Sequence, residues 1–225
     1  MTKSDQLVVL LHGIARTSLS MRPIEKTLER KGYSTLNIHY PSRTNTIDNL
    51  ATFVYEKMRE HPLEHQSVHF VTHSMGGLVV RALLTQHAIA NVSRIVMLAP
   101  PNHGSEVADF IHLYQPFKAF YGPALSELTT LRAKQHPFAA IPSQYELGVI
   151  AGSFNIDPIC YFMLPKGHDG KVSIKSTQLP GMKDHLILPS GHSFMMYNPK
   201  VLEQITYFLA NGHFFRENNN SPKTT

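Results

Sequence analysis

Apolar runs of strand length alternate with helical stripes along most of the chain. Leu7–Leu11 is a short unbroken apolar run, the pattern of a strand covered on both faces. Met21, Ile24 and Leu28 then share one face of a helix predicted over Met21 to Lys31, with Gly32 at its stop position. Leu36, Ile38 and Tyr40 alternate with polar residues up to Pro41 and predict a second strand. Ile47, Leu50, Val54 and Met58 form the next helical stripe, which ends before Pro62. Val68–Thr72 predicts a third strand, Leu78–Ile89 the helix after it, and Arg94–Ala99 a fourth strand stopped by Pro100 and Pro101.

The rhythm breaks after that. Ser105 to Tyr145 is rich in aromatic residues and proline, with weak helical patterns around Glu106–Tyr114 and Ala124–Lys134. Leu147–Ala151 and Asp184–Leu188 predict strands five and six. Val201, Ile205, Phe208 and Leu209 mark one side of a last helix, closed by Gly212. The polar end, 216–225, holds three consecutive asparagines and reads as a disordered tail. Such alternation predicts an α/β fold: about six strands in a mostly parallel sheet, helices on both faces, in one domain over 1–215. The stretch of about 105–146 is too long for a plain connection and reads as a cap inserted after strand four.

Ligands of such sheets sit beyond the carboxyl ends of the strands, so reactive residues belong just after strands. Thr72-His73-Ser74-Met75-Gly76-Gly77 has that place. A strand running straight into Ser74 and a helix starting behind it would expose the hydroxyl on a strained turn, and Gly76 gives the helix room. Thr72 stands where a glycine is usual, which predicts looser packing there. In Leu11-His12-Gly13-Ile14, a turn after the first strand would aim the amide of Ile14, with that of Met75, at a reacting carbonyl oxygen. His192, between the sixth strand and the last helix, is the candidate base. His185 falls inside a strand and His213 beyond the last helix. The candidate orienting acids after the fifth strand are Asp169, in a polar Asp-Gly turn, and Asp157, followed by Pro158; Asp169 is preferred.

The order Ser74, Asp169, His192 and the pieces around them resemble the α/β-hydrolase superfamily, especially small microbial lipases and esterases and the deacylase-like group carrying His-Ser-Met-Gly-Gly. The likeness runs from Leu7 to about Gly212. It implies Ser74 as nucleophile, His192 as base, Asp169 as the acid of an Asp-Gly-x-Val pattern, and the amides of Ile14 and Met75 as the oxyanion hole. Ala99-Pro100-Pro101-Asn102-His103-Gly104-Ser105 also resembles the family's loop into its cap. It further implies hydrolysis of carboxylic esters with lipid-like or medium-chain acyl groups, through an acyl-enzyme and without a cofactor. An acyltransferase, a thioesterase or a catalytically silent binding protein would carry the same pattern. Calcium-dependent bacterial lipases have an aspartate two residues after the histidine; Phe194 holds that place, so no such calcium site is expected. Phe110, Ile111, Leu113, Tyr114, Phe117, Phe120 and Tyr121 suit a cap over an acyl groove, or a local core beneath the insertion itself.

Composition sharpens this reading. With 225 residues, 42% hydrophobic and 16% charged, the chain is no disordered segment and buries about 70% of its unfolded surface. Its single cysteine, Cys160, cannot pair within the chain, which fits a reducing, cytoplasmic setting. No leader or membrane-length apolar run is visible. The net charge of +5 is scattered, with no basic cluster or nucleic-acid motif, so no nucleic-acid partner is expected. A diffuse positive charge does suit transient contact with an anionic membrane surface. The 14 histidines alone imply no metal.

Overall fold

The computed structural model describes residues 3–61, 67–135, 138, 141–155, 164 and 166–217. Six strands form one sheet: β1 (Gln6–Leu11), β2 (Ser34–Ile38), β3 (Ser67–His73), β4 (Val92–Leu98), β5 (Glu146–Gly152) and β6 (Asp184–Leu188). Their order is β2-β1-β3-β4-β5-β6, and every neighbouring pair is parallel. The registers Leu11↔Thr72, Thr72↔Met97, Leu98↔Ile150 and Gly152↔Leu188 bring the carboxyl ends of the strands to one rim. The fold class expected from the alternating pattern is therefore the observed one.

The helices between strands are α1 (Arg22–Arg30), α2 (Ile47–Arg59) and α3 (Gly76–Gln86), and α9 (Pro199–Asn211) follows the last strand. Because side chains alternate along a strand, Leu7, Val9 and Leu11 face one way and Val8 and Leu10 the other. The first set packs with Leu50, Val54 and Met58 of α2 and Leu78, Val79 and Leu83 of α3. The second packs with Ile24 and Leu28 of α1 and with Val201, Ile205, Phe208 and Leu209 of α9. Strands buried on both faces read as unbroken apolar runs for this reason.

Between β4 and β5 the weak periodicity resolves into four short helices rather than two. They are α4 (Glu106–His112), α5 (Gln115–Tyr121), α6 (Pro123–Glu127) and α7 (Thr130–Gln135). The breaks have local causes: Tyr114 is the extended cap of α5, whose Pro116 has no N–H with which to continue the preceding helix, and Gly122 sits at φ +73 between α5 and α6. A single helical turn, α8 (Ile174–Thr177), precedes β6, and α9 spans Pro199–Asn211. Smaller differences occur at the ends of elements. Helix α3 starts at Gly76 and stops at Gln86, where His87 turns extended, and Tyr40 lies past the end of β2, fully buried. Cys160, Asp157 and 218–225 lie outside the described residues. No helix among the described residues is long and apolar enough to cross a membrane.

Candidate active site

Ser74 follows β3 directly, in the left-handed region at φ +54, a conformation that costs a non-glycine residue about 1 kcal/mol or more. A neighbouring strand and the following helix hold it there: its amide donates to the carbonyl of Leu98 in β4 at 2.8 Å, and its own carbonyl accepts from Gly77 of α3 at 2.9 Å. A Cβ on Gly76 would lie 2.6 Å from the carbonyl oxygen of Leu11, so α3 crosses β1 too closely for any side chain there. Thr72 does not loosen the packing as its bulk suggested; it is fully buried. The room comes from α3, where a Cβ on Gly77 would stand 3.5 Å from the Thr72 hydroxyl and 2.9 Å from Pro100.

His192 opens a two-turn 3-10 helix, His192–Tyr197, shortly after β6, and its Nε2 lies 3.0 Å from the Ser74 hydroxyl. Its Nδ1 donates to Oδ2 of Asp169 at 2.8 Å. The other carboxylate oxygen accepts from the amides of Lys171 at 3.0 Å and Val172 at 2.9 Å, the tight Asp-Gly turn folding back on its own side chain. The backbone joins the two residues as well, since the His192 amide donates to the Asp169 carbonyl at 2.9 Å. All three side chains are buried, with Ser74 7%, His192 6% and Asp169 3% exposed. A carboxylate accepts only, which fixes the proton on Nδ1 and leaves Nε2 free to accept from the serine. The rivals lie elsewhere: His185 Nε2 is hydrogen-bonded to Thr177, and His213 is exposed beyond α9.

Ile14 borders the same pocket as Ser74, and Met75 is the cap residue of α3; among the described residues neither amide donates a hydrogen bond. The turn carrying Ile14 is braced by the buried His12. Its Nδ1 donates to the Gly13 carbonyl at 2.9 Å, and its ring stacks on Tyr40 at 4.0 Å. The Tyr40 hydroxyl in turn donates to the His12 carbonyl. Burial holds the His12 imidazole down at about 4 and pushes the Tyr40 phenol up, so both stay neutral.

A cavity of about 70 Å³ opens over Ser74 and His192, walled by Val107, Ala108, Ile111, Tyr121, Leu125 and Val172. Of the seven large apolar residues singled out in 105–146, only Ile111 and Tyr121 line it; Phe110, Leu113, Tyr114, Phe117 and Phe120 are exposed. Arg16 and Lys171 stand at its polar edge. No group of three or more His, Cys, Asp or Glu among the described residues could hold a metal ion. Phe194, where the calcium-dependent lipases carry aspartate, is 67% exposed. Two contributors were not singled out in the sequence, His73 and Arg16. Adjacency to Ser74 was a signal for the first, and nothing local marked the second.

The family model of the PGAP1-like alpha/beta domain matches residues 33–141, a span that takes in Ser74 and ends before Asp169 and His192. No curated protein matches the chain in sequence. Solved structures resemble it more fully. Bacillus licheniformis lipase BlEst2 in mature form superposes with a TM-score of 0.70 at 19% identity, over 91% of each chain. Its propeptide form gives 0.73 at 20% identity over 96% of this chain and 52% of that one. A metagenomic carboxyl esterase gives 0.69 at 19% identity over 84% of this chain and 65% of the other. The parallel six-stranded sheet and these likenesses show that the chain has the α/β-hydrolase fold.

Proposed function

We propose that this chain is a serine hydrolase of carboxylic esters. The observation that carries this reading is the buried relay in which Asp169 bonds His192 Nδ1 at 2.8 Å while His192 Nε2 meets the Ser74 hydroxyl at 3.0 Å. In this mechanism Ser74 Oγ attacks the ester carbonyl and its proton passes to His192 Nε2. The oxyanion forms beside the amides of Ile14 and Met75, each such donor contributing about 3–4 kcal/mol of transition-state stabilisation. His192 then protonates the departing alcohol, leaving Ser74 acylated. A water, deprotonated by His192, attacks the acyl group, and collapse returns the proton to Ser74 and releases the acid.

The likeness in fold to a lipase and to a carboxyl esterase supports this chemistry. In this reading the segment of about 105–146 is a cap, and the apolar wall of Val107, Ile111, Tyr121 and Leu125 receives the acyl group. Its roughly 70 Å³ is far below the about 300 Å³ at which drug-sized pockets begin, which favours the shorter end of a medium-chain range while the cap stays where it is. A fluorophosphonate probe with a chain-length series of nitrophenyl esters tests the reading. Ser74→Ala is expected to abolish labelling and to cost at least about a thousandfold in kcat. Labelling that survives Ser74→Ala would remove the nucleophile assignment.

A further inference from the structure

The two amides proposed for the oxyanion are held in different ways. Met75 caps α3, and its carbonyl accepts from Leu78 at 2.9 Å and from Val79 at 3.1 Å, so its position is that of a packed helix. Ile14 lies in a turn instead, closed by a 3.3 Å bond from the Arg16 amide to the Gly13 carbonyl. Inside that turn Ala15 sits at φ +54, in the same left-handed region as Ser74. Alanine has no special tolerance for this conformation, and a strain of about 1 kcal/mol or more persists only where the surroundings hold it. His12 braces the near end of the turn. The far end carries Arg16.

The Arg16 side chain reaches the other half of the site. Its Nη2 donates to the carbonyl of Ser193 at 3.3 Å, although 177 positions separate the two residues. Ser193 is the second residue of the 3-10 helix that His192 opens. The same side chain borders the cavity over Ser74 and is half-buried. Among the described residues Arg16 makes no ion pair, so no carboxylate competes with that carbonyl for it. Burial chiefly, and the Arg16 charge in smaller part, hold the imidazoles of His12 and His73 below the usual histidine range. The guanidinium therefore stands near both the brace of the turn and the histidine that grips the base loop.

We propose that Arg16 is a positioning residue, clasping the turn that would present the Ile14 amide to the loop that carries the base. Its kinetic consequence rests on the hydrolase reading; the clasp itself does not. With the clasp closed, the oxyanion donor and the proton carrier keep a fixed distance while Ser74 is attacked and released. Without it, Ala15 can relax from its strained conformation and draw the Ile14 amide away from the reacting oxygen.

Arg16→Met keeps the length of the side chain and removes its donors. Two measurements on the full chain test the clasp. Amide hydrogen exchange is expected to speed up about tenfold or more in both 13–17 and 192–197, with β3 and β4 unchanged. With nitrophenyl butyrate, kcat is expected to fall about 10–100-fold at nearly constant KM. Arg16→Lys, whose ammonium can still donate to the Ser193 carbonyl, should recover most of that loss. Guanidinium ion at a non-denaturing concentration should restore part of it in Arg16→Met and give no activity to Ser74→Ala. Unchanged exchange in both segments of Arg16→Met overturns the clasp, whatever the rates do. Faster exchange with an unchanged kcat overturns it too, because a positioning residue must be felt in the rate. If the native chain turns over no ester and takes no fluorophosphonate label, the hydrolase reading falls instead, and the exchange rates alone decide the clasp.

Discussion

His73 Nε2 donates to the backbone carbonyl of His192 at 3.0 Å, so the residue before the candidate nucleophile grips the residue that would serve as its base. The two rings lie 4.8 Å apart, tilted by 52°. Burial, the neighbouring His192 and Arg16 push the His73 imidazole well below the usual histidine range, which keeps it neutral. Its Nδ1 is buried with no partner among the described residues, so the Nε2 bond alone fixes the ring's polarity. We expect His73→Phe, which fills the site but cannot donate, to lower kcat about 10–100-fold with little change in KM, by letting His192 drift from Ser74. His73→Gln, whose amide nitrogen can still donate, should recover most of that loss. Equal activity in both variants would show that only the ring's volume matters.

Asp169 uses its two oxygens for different purposes, one for His192 and one for the amides of Lys171 and Val172. In Asp169→Asn the amide oxygen can still satisfy the turn, while the NH₂ faces His192 Nδ1. That geometry favours the imidazole tautomer with its proton on Nε2, which cannot accept from Ser74. A fall of about 10⁴ in kcat with nearly unchanged thermal stability is expected. Asp169→Ala should lose stability as well, by about 1–3 kcal/mol, since the buried Val172 amide and the part-buried Lys171 amide lose their acceptor. Melting curves beside initial rates separate the two effects.

The sheet was legible because covered strands carry a clear signature: Leu7–Leu11 is an unbroken apolar run, Val68, Phe70 and Val71 dominate Val68–Thr72, and both fall in strands with side chains in two cores. Ser74, Asp169 and His192 were legible because topology confines chemistry to one rim, and the chain places each just beyond a strand or in the loop before one. The helices between β4 and β5 were not, since pieces of five to seven residues hold too few turns to show a period. Nor could sequence show which of their aromatic residues line the cavity. Ile111 and Tyr121 differ from Phe110 and Phe120 only in direction, which is set by how these short helices dock. The clasp of Arg16 on the base loop was hidden for a related reason, because Arg16 and Ser193 stand 177 positions apart and only the folded sheet brings their loops together.

Gly152 is where the acid and base sides of the site press on the sheet. A Cβ there would run into the carbonyl oxygen of Ser190 and stand 2.7 Å from Asp169 Cβ. Both neighbours are anchored, Ser190 by a 2.8 Å bond to the Leu188 carbonyl and Asp169 by its turn. Gly152→Ala is therefore expected to cost about 1–3 kcal/mol by overpacking and to lower kcat more than its stability loss explains. Denaturant titration with parallel rate measurements checks both. A variant with wild-type kcat would mean that the loop after β6 yields without moving His192.

Acid should weaken the fold before it titrates most carboxylates, because buried neutral histidines sit at opposite ends of the adjacent strands β1 and β3. His12 and His69 are held down at about 4, chiefly by burial, with Arg94 adding to the effect at His69. In the unfolded chain both return to about 6.5. Between those values the unfolded state binds protons that the folded state refuses, so stability falls as pH drops from about 6.5 toward 4. Each group contributes a slope of about 1 kcal/mol per pH unit and at most about 3 kcal/mol in all. His69 is the cleaner probe, since it lies at the opposite end of β3 from Ser74, bonded to Gln6 and to the Arg94 amide. Guanidinium unfolding at pH 7, 5.5 and 4.5 should show a steep loss for the native chain and a shallower one for His69→Gln. Parallel lines for the two proteins would mean that His69 protonates in place.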